Sequence, residues 1–343
     1  MSSTIELGLD TFGDITAGAD GKPLHAAQVI RDLVEEAVLA DEVGVDAIGV
    51  GEHHRADFAI AAPDVVLAAI ASRTRRIRLG SAVTVLSSDD PIRVFQRFST
   101  LDAVSNGRAE VILGRGSFVE SFPLFGLDLK QYEELFNEKL DLFAAVLGEQ
   151  PVTWHGTTRA PLTNQSVYPK TESGRLATWI GVGGTPQSVL RAARYGLPLM
   201  LAIIGGEPRR FVPFADLYRR ALAEMGKAEL AIGVHSHGFV GESDAQARGD
   251  LFDDYKRMRD RIGGERGWPP MSRADFEREI EHGSLYVGSP DTVARKIVAT
   301  VKTLGASRFQ MKYSAGALSH EKMMRSIALY GREVIPLVRE MLG

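Results

Sequence analysis

Eight short apolar segments, rich in Val, Ile and Leu, recur along the chain and are separated by segments whose apolar residues follow helical spacing. Such segments are typical of strands buried on both faces, and their alternation with helices indicates a parallel sheet covered by helices. Eight units favour a closed (β/α)8 barrel over an open doubly wound sheet. That open sheet would carry a Gly-rich dinucleotide fingerprint after its first strand, which residues 8–21 lack. The predicted strands are 5–11, 46–50, 79–86, 109–113, 177–182, 199–204, 230–239 and 307–312.

The whole chain, residues 1–343, is therefore predicted to form a single α/β domain, a (β/α)8 TIM barrel with two insertions. Residues 152–175 form the first insertion, because this irregular segment is too long for a plain connector. Residues 258–283 form the second, a charged segment punctuated by Pro and Gly that is a candidate mobile lid.

The charge balance and the cysteine count exclude several kinds of partner and site. There are 40 basic and 44 acidic side chains, a net charge of −4, and no large basic block, which argues against a nucleic-acid partner. The chain has no cysteine, so disulfides and thiolate metal ligands are excluded. We find neither a signal-peptide pattern nor a run of about 18 apolar residues, and we expect a cytoplasmic protein that does not cross a membrane.

Arg115 lies between two glycines directly after the predicted strand 109–113. Parallel α/β folds place their ligands at the carboxyl ends of the strands. A guanidinium binds two phosphate oxygens at once, and flanking glycines let a ligand approach the backbone. The sequence therefore indicates a phosphate site at Arg115. The alternative is a structural arginine that pairs with a carboxylate on a neighbouring loop.

A second anion site is indicated where the fifth predicted strand ends in Gly183 and Gly184 and a helix follows. Free N–H groups and the helix dipole at such a start hold an anion, and the hydroxyls of Thr185 and Ser188 lie one turn apart. The alternative is ordinary capping, with Thr185 as the N-cap and Pro186 in the first turn. Two anion-binding features on one rim are together stronger evidence than either alone.

Two adjacent histidines, His53 and His54, follow the second predicted strand and so lie on the same rim. An imidazole there can accept and return a proton near neutral pH. Consecutive strand residues point to opposite sides, so we expect one ring to face the site and the other the wall. The alternative for each is a hydrogen-bonded wall histidine. No metal site is expected, because adjacent histidines without a spaced acidic motif make a weak ligand set, whose candidates would be Glu52, His53, His54, His235 and His237.

Several motifs resemble those of the bacterial luciferase-like flavin-dependent monooxygenases, also termed LLM class flavin-dependent oxidoreductases. The match follows the family's order over nearly the whole length and is weakest at 258–283, which makes it far more specific than any single motif. The motifs are Gly-Glu-His-His (51–54), Asp-Pro-Ile-Arg (90–93), Leu-Asp-Ala-Val-Ser-Asn-Gly-Arg (101–108), Gly-Arg-Gly (114–116), Phe-Pro-Leu-Phe-Gly (122–126), Gly-Leu-Pro-Leu-Met-Leu (196–201), Val-Gly-Ser-Pro-Asp (287–291) and Val-Ile-Pro (334–336).

The resemblance implies a luciferase-like barrel that binds reduced FMN across the carboxyl ends of its strands. Arg115 lies at the family's phosphate-binding arginine. Gly184, Thr185 and Ser188, preceded by Gly183, fall on its phosphate-binding helix start. This chain has Gly184 where luciferase has a carboxylate, and the long-chain aldehyde specificity of luciferase is not inherited.

Two further positions take their expected roles from the same resemblance. His53 aligns with the histidine proposed to act as a base, which makes it the candidate catalytic residue. Ala82 and Val83 match a site where relatives carry a non-prolyl cis peptide against the flavin ring, so we expect a cis bond here.

The expected activity is that of an enzyme that uses reduced FMN and O2 to oxygenate a small organic substrate. A separate flavin reductase would supply the reduced FMN, and the protein would be a homodimer, as relatives commonly are. Within the family, F420 could replace FMN and make the protein a hydride-transfer oxidoreductase. A non-catalytic flavin-binding subunit and, outside the family, a phosphosugar barrel enzyme remain alternatives.

Overall fold

The computed structural model describes residues 5–18 and 20–343. Its strands are β1 (Glu6–Thr11), β2 (Ala47–Val50), β3 (Arg78–Ser81), β4 (Thr84–Val85), β5 (Ala109–Gly114), β6 (Val152–Trp154), β7 (Leu162–Gln165), β8 (Ala177–Val182), β9 (Leu199–Ala202), β10 (Ile232–Val240), β11 (Tyr286–Gly288) and β12 (Arg308–Lys312). Its α-helices are α1 (Ala26–Glu42), α2 (Pro63–Arg73), α3 (Pro91–Val104), α4 (Ser121–Leu124), α5 (Tyr132–Val146), α6 (Pro186–Tyr195), α7 (Val212–Glu224), α8 (Asp244–Glu265), α9 (Arg273–Glu281), α10 (Pro290–Leu304), α11 (His320–Leu329) and α12 (Ile335–Leu342).

Eight strands close a barrel in the order β1, β2, β3, β5, β8, β9, β10 and β12, and β12 pairs with β1 again. All eight pairings are parallel, which confirms the predicted (β/α)8 barrel. Two short strands extend it, because β4 pairs with β5 and β11 with the end of β10. Among the described helices, none has both the length and the apolar composition needed to cross a membrane.

An ion-pair cluster fills the barrel interior at the amino ends of the strands. Arg308 on β12 donates to Glu110 on β5 at 2.9 and 2.5 Å, and both side chains are fully buried. Arg78 on β3 donates to the same carboxylate at 3.0 Å. Buried charges persist only when they are paired and hydrogen-bonded, and here both conditions hold. The interior space left for a ligand therefore lies toward the carboxyl ends.

The helix that leads to the Arg115 loop, α3, has clear signals at both ends. Asp90 accepts hydrogen bonds from the backbone N–H groups of Ile92 and Arg93, at 2.9 and 3.1 Å, so it caps α3 with Pro91 in the first turn. The helix ends before Gly107, whose φ of +79° lies in the left-handed region that favours glycine.

Three predicted segments differ from the structure. The segment 79–86 is not one strand, because the chain leaves the sheet after β3 and rejoins it at β4. The segment 152–175 is not wholly irregular, since β6 and β7 pair as an antiparallel hairpin within it. The segment 258–283 contains the end of α8 and all of α9, which begins with a capping box formed by Ser272 and Asp275. In the last two cases, local pairing or capping gives order to a segment that lacks a long apolar period.

Candidate active site

A cavity of about 410 Å³ opens at the carboxyl ends of the barrel strands. Its wall is contributed by the ends of β1, β2, β5, β8, β9, β10 and β12 and by the last turns of α8. This volume is in the range typical of sites for small molecules and cofactors. Five of the eight residues assigned to the site from the sequence line this one cavity: His53, Ala82, Val83, Arg115 and Gly183.

The floor of the cavity is formed where β3 gives way to β4. The peptide bond between Ala82 and Val83 is cis, as predicted. The Val83 side chain packs against the backbone of two neighbouring strands at Gly114 and Gly181. A Cβ atom added at Gly114 would lie 2.5 Å from the Val83 side chain, and one added at Gly181 would lie 3.1 Å from it. These two glycines therefore provide the space in which Val83 presents an apolar surface to the cavity.

His53 faces the cavity and is surrounded by aromatic rings. Its ring centroid lies 4.7 Å from that of Phe12, 4.4 Å from Phe58 and 5.3 Å from Phe118. Its Nε2 is buried and has no hydrogen-bond partner among the described residues. Burial lowers the pKa of His53 to about 3, so the imidazole is neutral at neutral pH.

His54 points away from the cavity and belongs to the wall. Its Nε2 donates to Oε1 of Glu52 at 3.0 Å, while Oε2 of Glu52 accepts from the backbone N–H of Val85 at 2.9 Å. Glu52 thus ties the loop after β2 to the loop that contains the cis bond. The predicted division of the two histidines, one to the site and one to the wall, is confirmed.

Further polar side chains in the cavity were missed from the sequence or considered only as metal ligands. Asp10, His235, His237 and Gln310 project from β1, β10 and β12, and their positions alternate with residues that face outward. Asp10 Oδ1, His237 Nδ1 and Gln310 Oε1 are buried without a hydrogen-bond partner among the described residues. Buried polar atoms are nearly always paired, so these atoms fit a ligand that brings its own donors and acceptors. The described residues contain no group of three or more His, Cys, Asp or Glu side chains placed to hold a metal ion.

Arg115 lies at one edge of the cavity and has a carboxylate partner. Its guanidinium donates to Glu133 at the start of α5 and lies 5.4 Å from the ring of Tyr132. Arg191 on α6, which the sequence did not single out, donates to the other oxygen of Glu133 at 3.1 Å. Burial and the nearby charge of Arg115 lower the pKa of Arg191. Two cations therefore converge on one exposed carboxylate beside the cavity.

The start of α6 agrees in part with the capping alternative, because Thr185 is the N-cap residue and Pro186 begins the first turn. Gly183 lines the cavity, and the space where its Cβ would project is open. Gly184 has φ +101°, a conformation that glycine adopts readily. Thr185 occupies the N-cap position but makes no capping bond, and its hydroxyl donates to Ser188 Oγ at 2.8 Å. Gly184, Thr185 and Ser188 lie outside the residues that line the cavity.

The end of α8 covers part of the cavity. Met258, Ile262 and Trp268 contribute to its wall, so the predicted second insertion does reach the site. Arg266 donates to the carbonyl oxygen of Ser117 at 3.2 Å, which joins this segment to the loop after β5.

An ion-pair network fixes the same segment to the barrel. The guanidinium of Arg55, only 10% exposed, donates to Glu265 at the end of α8, to Glu120 and, at 3.2 Å, to Asp57. One cation thus connects the loops after β2 and β5 with the cover of the cavity. Whether this cover moves stays a prediction.

A closed parallel barrel with a ligand-sized cavity at the carboxyl ends of its strands defines the class of TIM-barrel enzymes. Within that class the family is shown by a family model, luciferase-like monooxygenase, which matches residues 11–308. The chain belongs to this family, and its relatives include monooxygenases that support an oxidoreductase activity.

The chain is 30% identical to 4-hydroxyprotoasukamycin monooxygenase of Streptomyces nodosus subsp. asukaensis, over 94% of this chain and 92% of the relative. Among solved structures, monooxygenase RslO1 from Streptomyces bottropensis gives a TM-score of 0.85 at 25% identity, covering 97% and 99% of the two chains. The oxygenating constituent of 3,6-diketocamphane monooxygenase from Pseudomonas putida, in complex with FMN, gives 0.78 at 20%, covering 97% and 98%. An F420-dependent secondary alcohol dehydrogenase gives 0.73 at 18%, covering 98% and 99%. The last two likenesses show the fold alone.

Proposed function

We propose that this protein is a flavin-dependent monooxygenase that uses reduced FMN and O2 to oxygenate a small organic substrate. The observation that carries the proposal is the cavity itself, which combines an apolar floor at Val83, wall atoms that have no hydrogen-bond partner within the described part of the chain, and a cation at the edge. A flavin has a flat ring, hydrogen-bonding groups along one edge and a phosphate tail, and it matches these three features. When bound in reduced form, the flavin supplies electrons and activates dioxygen.

The residues of this chain would bind, orient and shield the flavin. Ala82 and Val83 would support the ring from the floor of the cavity. The phosphate would be held at the edge, where Arg115 can exchange its exposed partner Glu133 for a ligand that accepts two hydrogen bonds. The proposed phosphate group comprises Arg115, Gly183, Gly184, Thr185 and Ser188.

His53 is proposed to contact the reacting part of the ligand as a neutral imidazole. With a pKa of about 3 it would hold an accepted proton only weakly, so its free Nε2 serves better as a hydrogen-bonding group than as a lasting base. We expect His53→Ala to leave FMN affinity largely unchanged and to slow turnover. If kcat falls by about tenfold, the loss corresponds to one hydrogen bond; if kcat falls by about 10²-fold or more, it corresponds to acid–base catalysis.

A second candidate is an F420-dependent hydride-transfer oxidoreductase, favoured by the same fold in the F420-dependent alcohol dehydrogenase. A third is a flavin-binding subunit without turnover. We further propose a separate flavin reductase as the source of reduced FMN, a homodimer as the assembly and the cytoplasm as the location, all on the strength of the family resemblance.

The deciding experiment compares FMN, reduced FMN and F420 as ligands and then measures oxygen uptake with reduced FMN and candidate substrates. Tight binding of reduced FMN with substrate-dependent oxygen uptake would support the proposal. Binding of F420 with substrate oxidation and no oxygen uptake would favour the second candidate. Flavin binding without turnover on any substrate would favour the third, and binding of none of the three ligands would refute all of them.

A further inference from the structure

Asp10 and His235 form a hydrogen-bonded pair inside the cavity, although 225 positions separate them in the sequence. Nδ1 of His235 lies 2.7 Å from Oδ2 of Asp10. Asp10 lies near the carboxyl end of β1 and His235 in the first half of β10, beside the last residue of β9, with β12 between β1 and β10. Barrel closure alone brings the two side chains together.

The pair fixes which nitrogen of His235 carries the proton. A carboxylate accepts hydrogen bonds, so the ring donates from Nδ1, and in the neutral ring Nε2 is then the nitrogen without a proton. His235 lines the cavity, and its Nε2 makes no hydrogen bond to any described residue. A carboxylate that orients an imidazole in this way is the arrangement by which proteins prepare histidine for proton transfer.

Three histidines line the cavity, and they differ in their polar partners. Burial lowers the pKa of His53 to about 3 and lowers that of His237 well below its usual value. Neither ring has a carboxylate partner among the described residues, whereas His235 has one. Of the three, His235 is the ring beside which a compensating negative charge already lies.

The burial of the Asp10 carboxylate is a second feature that distinguishes His235 from the other two histidines. Asp10 is 0% exposed, and its second oxygen, Oδ1, has no hydrogen-bond partner among the described residues. Lys312 lies opposite Asp10 in the β1–β12 ladder, but its ammonium is bound to Asp14, at 2.8 Å, and to Ser314. A proton accepted by His235 would therefore be placed beside the Asp10 carboxylate, which no other cation contacts among the described residues.

We propose that Asp10 and His235 are the proton-transfer pair of this site, a role that rests on the proposed function. Nε2 of His235 accepts a proton from an O–H group of the substrate. The new N–H bond forms as the O–H bond breaks, its electron pair stays on the substrate oxygen, and the imidazolium is stabilised by Asp10. His235 is the catalytic residue, since it touches the substrate, and Asp10 is the positioning residue.

The first test uses the ligand-free protein and does not depend on a cofactor. Long-range 1H–15N correlation spectra of 15N-histidine-labelled protein report the tautomer of each ring, and the signal that His235→Gln removes identifies His235. We expect His235 to be protonated at Nδ1 and bare at Nε2. In Asp10→Asn, whose amide can both donate and accept, the signal should move toward a mixture of tautomers. A wild-type ring protonated at Nε2 would overturn the proposal.

The second test is a double-mutant cycle on turnover with reduced FMN. His235→Gln should lower kcat by about 10²–10⁴-fold while FMN affinity stays the same, and Asp10→Asn should lower kcat to a similar extent. Because Asp10 acts through His235, Asp10→Asn should cost nothing further in the His235→Gln background. Additive losses, or unchanged kcat in either single variant, would overturn the proposal. If wild-type protein shows no oxygen uptake, the proposed function fails instead, and the tautomer result alone decides the pairing.

Discussion

The burial of His53 predicts a specific dependence of stability on pH, which His53→Gln should remove. In the unfolded chain a histidine takes up a proton near pH 6.5, whereas in the folded protein the pKa of His53 is about 3. Between these values only the unfolded state binds the proton at this position, so the wild-type protein should lose stability as the pH falls. Above pH 6.5 both states are neutral and the effect disappears.

The size of the effect follows from the pKa difference. Each pH unit below the unfolded pKa costs about 1.4 kcal/mol, so the loss between pH 7 and pH 5 is about 2 kcal/mol. This figure depends on the unfolded pKa and not on the folded one, provided that the folded pKa lies well below 5. Gln has a similar volume and does not titrate, so the variant should lack this contribution.

The assay is urea unfolding of wild type and His53→Gln at pH 7 and pH 5. Subtracting the pH dependence of the variant from that of the wild type cancels the other titrating groups and leaves the contribution of His53. The same substitution at the exposed His155 is the matched control and should change the pH dependence little. Equal pH dependence in wild type and His53→Gln would refute the conclusion that this ring is neutral because it is buried.

Three further predictions concern the cavity and its cover. Arg115→Ala should weaken FMN binding by about tenfold or more, as expected for loss of a charged hydrogen bond. The control Arg295→Ala, on the exposed face of α10, should leave FMN binding unchanged. Equal FMN affinities of the two variants in a fluorescence titration would contradict the phosphate assignment. Gly114→Ala should destabilise the fold by about 1–3 kcal/mol through overpacking against Val83. Adding Val83→Ala to this variant should restore most of the lost stability in a thermal unfolding assay, and no rescue would mean that the strain lies elsewhere. Arg55→Met should increase the rate of amide hydrogen exchange at the end of α8, because the substitution leaves three carboxylates without their shared cation. An unchanged exchange rate would show that this network does not hold the cover.

The architecture and much of the site followed from local patterns in the sequence. Alternation of buried strands with helices predicted the barrel, because burial on both faces leaves a continuous apolar run that needs no knowledge of distant residues. The alternation of neighbouring residues also predicted that one of His53 and His54 faces the site and the other the wall. The cis bond at Ala82 and Val83 followed only from the family resemblance, since no periodicity distinguishes cis from trans.

Other features required the folded chain. Hydrophobic periodicity states which residues are buried but not which ones meet, so Asp10 and His235 remained unconnected until closure of the barrel brought β1 and β10 to either side of β12. In the same way, Arg191 gave no distinctive pattern before α5 and α6 placed it beside Arg115 on a shared carboxylate.

The sequence by itself determined the barrel, its family and the rim on which the site lies, because these depend on short-range periodicity and on motifs in a fixed order. The tertiary structure decided the partners of the charged and polar groups. Arg55, for example, meets Glu265 across 210 positions. Electrostatic pairing depends on distance in space, and only the closed barrel and its cover set those distances.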